Sequence, residues 1–172
     1  MIRGNVTGIL NTIRHLNRVS RSLETKAHDF LERLGQEGFK VADAKFANAL
    51  YAGTNDVTVE LQWEDETTLH LIANGDAVAF IEFGTGTSVE DYPKKVDGIL
   101  EHGQFGQKKG AHPPWYYHGD PGNIGRPKRN RDGTYDPDTV VTWGNPPARA
   151  MFDAGQEMRN RIAEIAREVF ST

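Results

Sequence analysis

The stretch AVAFIEFGTGT, Ala77 to Thr87, decides how the rest of the chain is read. A run of apolar residues meets Glu82 and Phe83 and then a Gly-Thr-Gly-Thr close, which reads as a strand entering a core and stopping at a sharp turn. Gly84 and Gly86 are not followed by the Gly-Lys-Thr or Gly-Lys-Ser of a P-loop, and no dinucleotide fingerprint opens a helix here. Glu82, Phe83, Gly84 and Gly86 therefore form a structural turn motif. Glu82 either faces away from the apolar side or accepts backbone N–H bonds from the turn. An acid pair of Glu82 with Glu90 or Asp91 carries no weight as catalysis, because 24 acids make some proximity inevitable.

Working outward, residues 39–87 show a period of two. DVTVELQW alternates Val57, Val59 and Leu61 with Thr58, Glu60 and Gln62; TTLHLIA repeats the pattern, and Asn74-Gly75 is a strong hairpin signal. FKVADAKFANA reads as a further strand or as helix. Before these strands, residues 1–36 read as one long helix. Ile9, Ile13, Leu16, Ser20, Leu23, Ala27, Phe30 and Leu34 recur at a 4-3 spacing, and Gly35 is placed to end the helix. A helix of that length overhangs a core of ordinary size, so its seam calls for a long partner, within the chain or in a neighbouring subunit. Residues 145–171 read as a second helix, with Asn145 as N-cap, Pro146 in its first turn, and Met151, Gly155, Met158, Ile162, Ile165 and Val169 along one side. The expected fold is α+β and a single domain: an antiparallel sheet of about four strands packed by the two helices.

Between residues 88 and 140 regularity disappears. About fifty residues of loop exceed the usual length for a compact domain, and such a segment is most simply ordered by contacts with something else. From Phe105 to Arg131 it carries Lys108, Lys109, Arg126, Lys128, Arg129 and Arg131 against one acid, Asp120. Trp115, Tyr116 and Tyr117 lie among them and are suited to anchoring a partner. A basic patch on a chain of net charge −4 fits a solvated loop, or a local contact with phosphate or an acidic partner surface, rather than general nucleic-acid binding.

Composition narrows the chemistry. At 172 residues the chain has no cysteine, which removes disulfides, thiolate nucleophiles and thiolate metal sites. No Gly-x-Ser-x-Gly elbow occurs. His112, His118 and Asp120 sit in a loop, without the spacing on a rigid element that makes a metal site specific. No cofactor is expected, and no apolar run reaches the roughly 18 residues of a membrane span. The first residues lack the apolar core of a secretory signal.

AVAFIEFGTGT resembles the Phe-Ile-Glu-Phe-Gly-(Thr/Ala)-Gly signature of a family of phage tail-component proteins, the tail completion or head–tail joining proteins of long-tailed phages. YAGTNDVTVELQW before it, and HPPWYY and TVVTWGNPPARAMFDAGQEMRNRIAEIAREVF after it, extend the likeness over nearly the whole chain. GNPP and the basic middle loop depart from the pattern. The resemblance implies a structural virion protein of the neck and no enzyme. It implies a ring, six copies by tail symmetry, between the tail tube or tail terminator and the head-side connector or stopper, assembled in the bacterial host cytoplasm. Trp115, Tyr116, Tyr117, Trp143 and the six basic residues become the candidate partner contacts, with genomic DNA in the channel as a further one. A tail terminator capping the tube is the alternative within that class. A hydrolase or nuclease using the loop histidines is the remote one.

Overall fold

A computed structural model describes residues 6–85 and 114–171. The fold is α+β. Helix α1 (Val6–Ala47) is followed by strands β1 (Thr58–Asp65) and β2 (Thr68–Asn74) and a short helix α2 (Val78–Phe83). Strands β3 (Trp115–His118), β4 (Arg126–Arg129) and β5 (Tyr135–Thr142) and helix α3 (Ala150–Phe170) complete it. The strands form two antiparallel sheets, a β1–β2 ribbon and a three-stranded sheet in the order β3-β5-β4, in place of the single sheet of about four strands expected.

Helix α1 does not stop at Gly35. With 42 residues it is about 63 Å long, and it takes in FKVADAKFA, which settles that segment as helix. Gly35 and Gly38 serve close packing instead of a cap. A Cβ at Gly35 would lie 2.7 Å from Leu69 Cδ2, and one at Gly38 would lie 2.7 Å from Met158 Sδ and 3.2 Å from Leu71 Cδ2. The ribbon and α3 approach the helix where it has no side chain. The ribbon keeps the alternation of its sequence: Val59 pairs with Ala73, Leu61 with Leu71 and Trp63 with Leu69, all half-buried toward α1. Its turn falls at Glu66-Thr67. His28 of α1 stacks on Trp63 with ring centroids 4.0 Å apart.

Helix α3, about 31 Å long by its 21 residues, runs antiparallel along the C-terminal part of α1. Lys45 pairs with Asp153 at one end, and Phe30 meets Phe170 at the other. The core between the helices sets Phe46 and Ile81 among alanines: Ala42, Ala49, Ala77, Ala150 and Ala154. From Ile9 to Thr25 every residue of α1 is exposed among the described residues. Its seam there is open to solvent, with Ile9 60%, Leu16 59% and Leu23 54% exposed.

Three expectations need correction. AVAFIEF is helical, not a strand: Ala77 and Ile81, four apart, are the apolar residues it buries, and Glu82 is buried beside them. A short apolar run does not distinguish buried helix from buried strand by its period. The segment expected as loop contains β3, β4 and β5. Pro127 lies on edge strand β4, and Pro137 falls where the β4–β5 register shifts, so neither costs a ladder bond. Finally, residues 145–149 are not helical, and α3 begins at Ala150.

The step from β2 into α2 depends on Asp56. Its Oδ2 accepts the N–H of Asp76 at 2.7 Å and its Oδ1 that of Ala77 at 2.9 Å. The N–H groups of Ala77 and Asp76 hold its carboxyl below the usual carboxylate value. A lowered folded pKa contributes stability that is complete above the unfolded value, near 3.9, and is lost as pH falls through the lower folded value. Urea midpoints at pH 7 and pH 3 should therefore differ less in Asp56→Asn than in the parent chain.

Candidate functional site

Glu82 is 4% exposed and is held at the last turn of α2. Its Oε2 accepts the N–H of Met151 at 2.9 Å and its Oε1 that of Phe152 at 3.1 Å. The carboxylate thus caps the first turn of α3 from another helix, where orphan N–H groups and the helix dipole favour an anion. Arg149, just before α3, adopts a left-handed conformation (φ 56°, ψ 36°) and gives no side-chain cap of its own. Main-chain bonds extend the latch: Ala148 N–H to Ile81 O at 2.8 Å and Arg149 N–H to Glu82 O at 3.3 Å.

Gly84 lets the chain leave this latch. Its φ of 71° and ψ of 173° belong to a region that is essentially glycine's alone. A Cβ there would lie 2.7 Å from Asn145 O and 2.8 Å from Pro147 N. Thr85 and Asn145 then exchange backbone bonds at 2.9 and 3.1 Å. Asn145, assigned in the sequence as an N-cap, is buried and ties strands of chain together instead. Its Nδ2 donates to Thr85 Oγ1 at 3.0 Å, and its Oδ1 accepts Ala52 N–H at 2.6 Å. Asn123 does likewise: its Oδ1 accepts Tyr51 N–H at 2.6 Å and its Nδ2 donates to Ala49 O at 2.9 Å. Sequence reasoning missed both ties. Their signal was a repeated Gly-Asn, and each preceding glycine has a positive φ, 61° at Gly122 and 100° at Gly144.

The partner candidates separate into two groups. Trp115 and Tyr117 lie on the inner side of the β3-β5-β4 sheet, in register with Thr142 and the buried Val140. Burial, with the nearby Tyr51 and Asp120, pushes the Tyr117 hydroxyl up. Tyr116, Arg126, Arg129 and Trp143 are exposed and Lys128 half-exposed. Arg126 lies 5.9 Å over the Trp143 ring, and Lys128 5.8 Å over that of Tyr116. Arg131 sits in the β4–β5 turn. Gly86, Lys108, Lys109, Glu90, Asp91 and His112 lie outside the described residues. His118 Nδ1 is 2.8 Å from Asp138 O, and no group of metal-binding side chains occurs among the described residues. No described helix is long and apolar enough to cross a membrane.

No protein-family profile, curated protein or solved structure matches the chain.

Two substitutions separate the parts of the latch. Glu82→Ala leaves two buried N–H groups without their acceptor and should cost about 2–4 kcal/mol. Glu82→Gln should also cost stability, since each carboxylate oxygen accepts a bond and an amide offers only one acceptor; urea unfolding measures both. Gly84→Ala should lower stability by about 2 kcal/mol or more through φ strain and the contact with Asn145 O. A melt unchanged from the parent would refute that role for Gly84.

Proposed function

We propose that the chain is a structural subunit of the neck of a long-tailed phage, a tail completion or head–tail joining protein assembled as a ring between the tail tube and the head-side connector. The observation that carries this reading is the overhang of α1. Ile9, Ile13, Leu16 and Leu23 form an apolar seam with no cover among the described residues, on a stretch whose charges are mainly Arg14, Arg18, Arg21 and Lys26. A seam of that kind is a surface for another chain.

The base of the same helix supplies a complement. A groove of about 800 Å³ opens between α1 and the β1–β2 turn, with Leu23 and Ala27 in its lining and Glu24, Asp29, Glu32 and Glu66 around them. A basic, apolar overhang from one copy and an acidic groove on the next make a head-to-tail contact, and such contacts close into rings when the rotation allows. The sequence resemblance supports the same assembly, in six copies, and a place in the virion.

Leu16→Glu should abolish ring formation while leaving the thermal melt nearly unchanged, because the residue packs on nothing in its own described chain. Copy number per particle and sedimentation of the free chain measure this. Lysates made without the protein should contain filled heads and finished tails that have not joined. Whole, infectious phage at normal titre would overturn the proposal.

A further inference from the structure

The outer side of the β3-β5-β4 sheet holds a cleft unrelated to the α1 overhang. It measures about 480 Å³ and is lined by Arg126, Pro127, Arg129, Tyr135, Val141 and Trp143. Arg126 pairs with Val141 and Arg129 with Tyr135, and the register shift between Pro127 and Lys128 lets both arginines line one cleft. Both charged residues in the lining are guanidinium groups, and neither takes part in an ion pair among the described residues. Two of the three acids of the same hairpin accept hydrogen bonds within it. Asp132 accepts from Thr134, and Asp136 from the N–H of Asp138. The rings are open to solvent, Tyr135 at 65% and Trp143 at 49%.

We infer that this cleft binds a single nucleic-acid strand, with phosphates on Arg126 and Arg129 and a base stacked on Trp143 or Tyr135. Guanidinium forks match phosphate oxygens in pairs. Exposed rings beside cations form the platform on which unpaired bases stack. Arg126 lies over the Trp143 ring, 5.9 Å from its centroid, so cation and ring share the cleft. An acidic peptide would answer the two charges but leave the flat surfaces of two rings unused. A duplex keeps its bases stacked inside and could reach only the charges. The inference rests on the sheet face alone and stands apart from the neck assignment.

The test titrates the full chain with an oligothymidylate of about 15 nucleotides, within the span such sites cover. A duplex of equal length and a poly-glutamate peptide run in parallel. The oligothymidylate should bind best, quench tryptophan fluorescence and weaken as salt rises. Arg126→Gln with Arg129→Gln should reduce the slope of log K against log salt by about 1.4, the effect of two phosphate contacts on a single strand. Trp143→Ala should weaken binding about tenfold at unchanged slope, and Trp143→Phe should restore most of the loss. All three side chains are exposed, and thermal melts verify that each variant folds. The inference is overturned if the oligothymidylate fails to bind at low salt, or if poly-glutamate or the duplex binds as tightly. It is also overturned if the arginine pair or Trp143→Ala leaves binding unchanged.

Discussion

The carboxylate of Glu82, buried at the first turn of α3, is the interaction on which the rest of the architecture depends. A buried charge is costly unless it is met by hydrogen bonds, and here each oxygen receives a backbone N–H from a helix N-terminus. The arrangement fixes α2 against α3 and so sets the direction in which α3 returns along α1. The core around it sets Phe46 and Ile81 among five alanines, Ala42, Ala49, Ala77, Ala150 and Ala154. Alanine buries little apolar area, so few bulky side chains interlock there. Polar bonds of defined geometry add direction to that packing.

Around that latch, glycine decides where main chains meet. Gly84 passes within a bond's reach of the 145–147 segment, and Gly35 and Gly38 admit Leu69, Leu71 and Met158 against the axis of α1. One helix can therefore receive the β-ribbon and α3 near the same turns. Neither has to be held off by a side chain, and α1 remains a single helix whose N-terminal part is exposed among the described residues.

This explains which parts of the fold were legible in the sequence. The two long helices and the β1–β2 ribbon show periods of 3.6 and two because each has one wet face and one dry face. The class α+β follows from them. The α2 segment defeated the same logic, since six residues are too few for a period to declare itself and Glu82 is buried at a position where strand alternation gave it a choice. Gly35 looked like a cap because glycine serves caps and close approach alike. Strands β3, β4 and β5 were hidden by Pro127, Pro137 and the charges of RPKR, residues that suit an edge strand and a register shift but advertise a loop. Trp115, Tyr116 and Tyr117 were read from the sequence as one group of candidate contacts, which the strand pairing divides in two. Only strand pairing turns Tyr116 outward while Trp115 and Tyr117 share the inner side.

The two outward surfaces are joined through the core by a short chain of bonds. The turn after α1 is held by Asn123 at Ala49 and Tyr51 and by Asn145 at Ala52. Asn123 belongs to the β3–β4 connection, and Asn145 follows β5, so both ends of the second sheet are fastened to the C-terminal end of α1. The overhang with its apolar seam is the other end of that same uninterrupted helix. A neighbour seated on the seam would therefore fix the orientation of the Arg126, Arg129 and Trp143 face as well, with no hinge in α1 between them. Copies related by one seam-to-groove contact would present that face at one repeated angle. The asparagine ties thus couple the sheet's outward direction to the C-terminal end of α1.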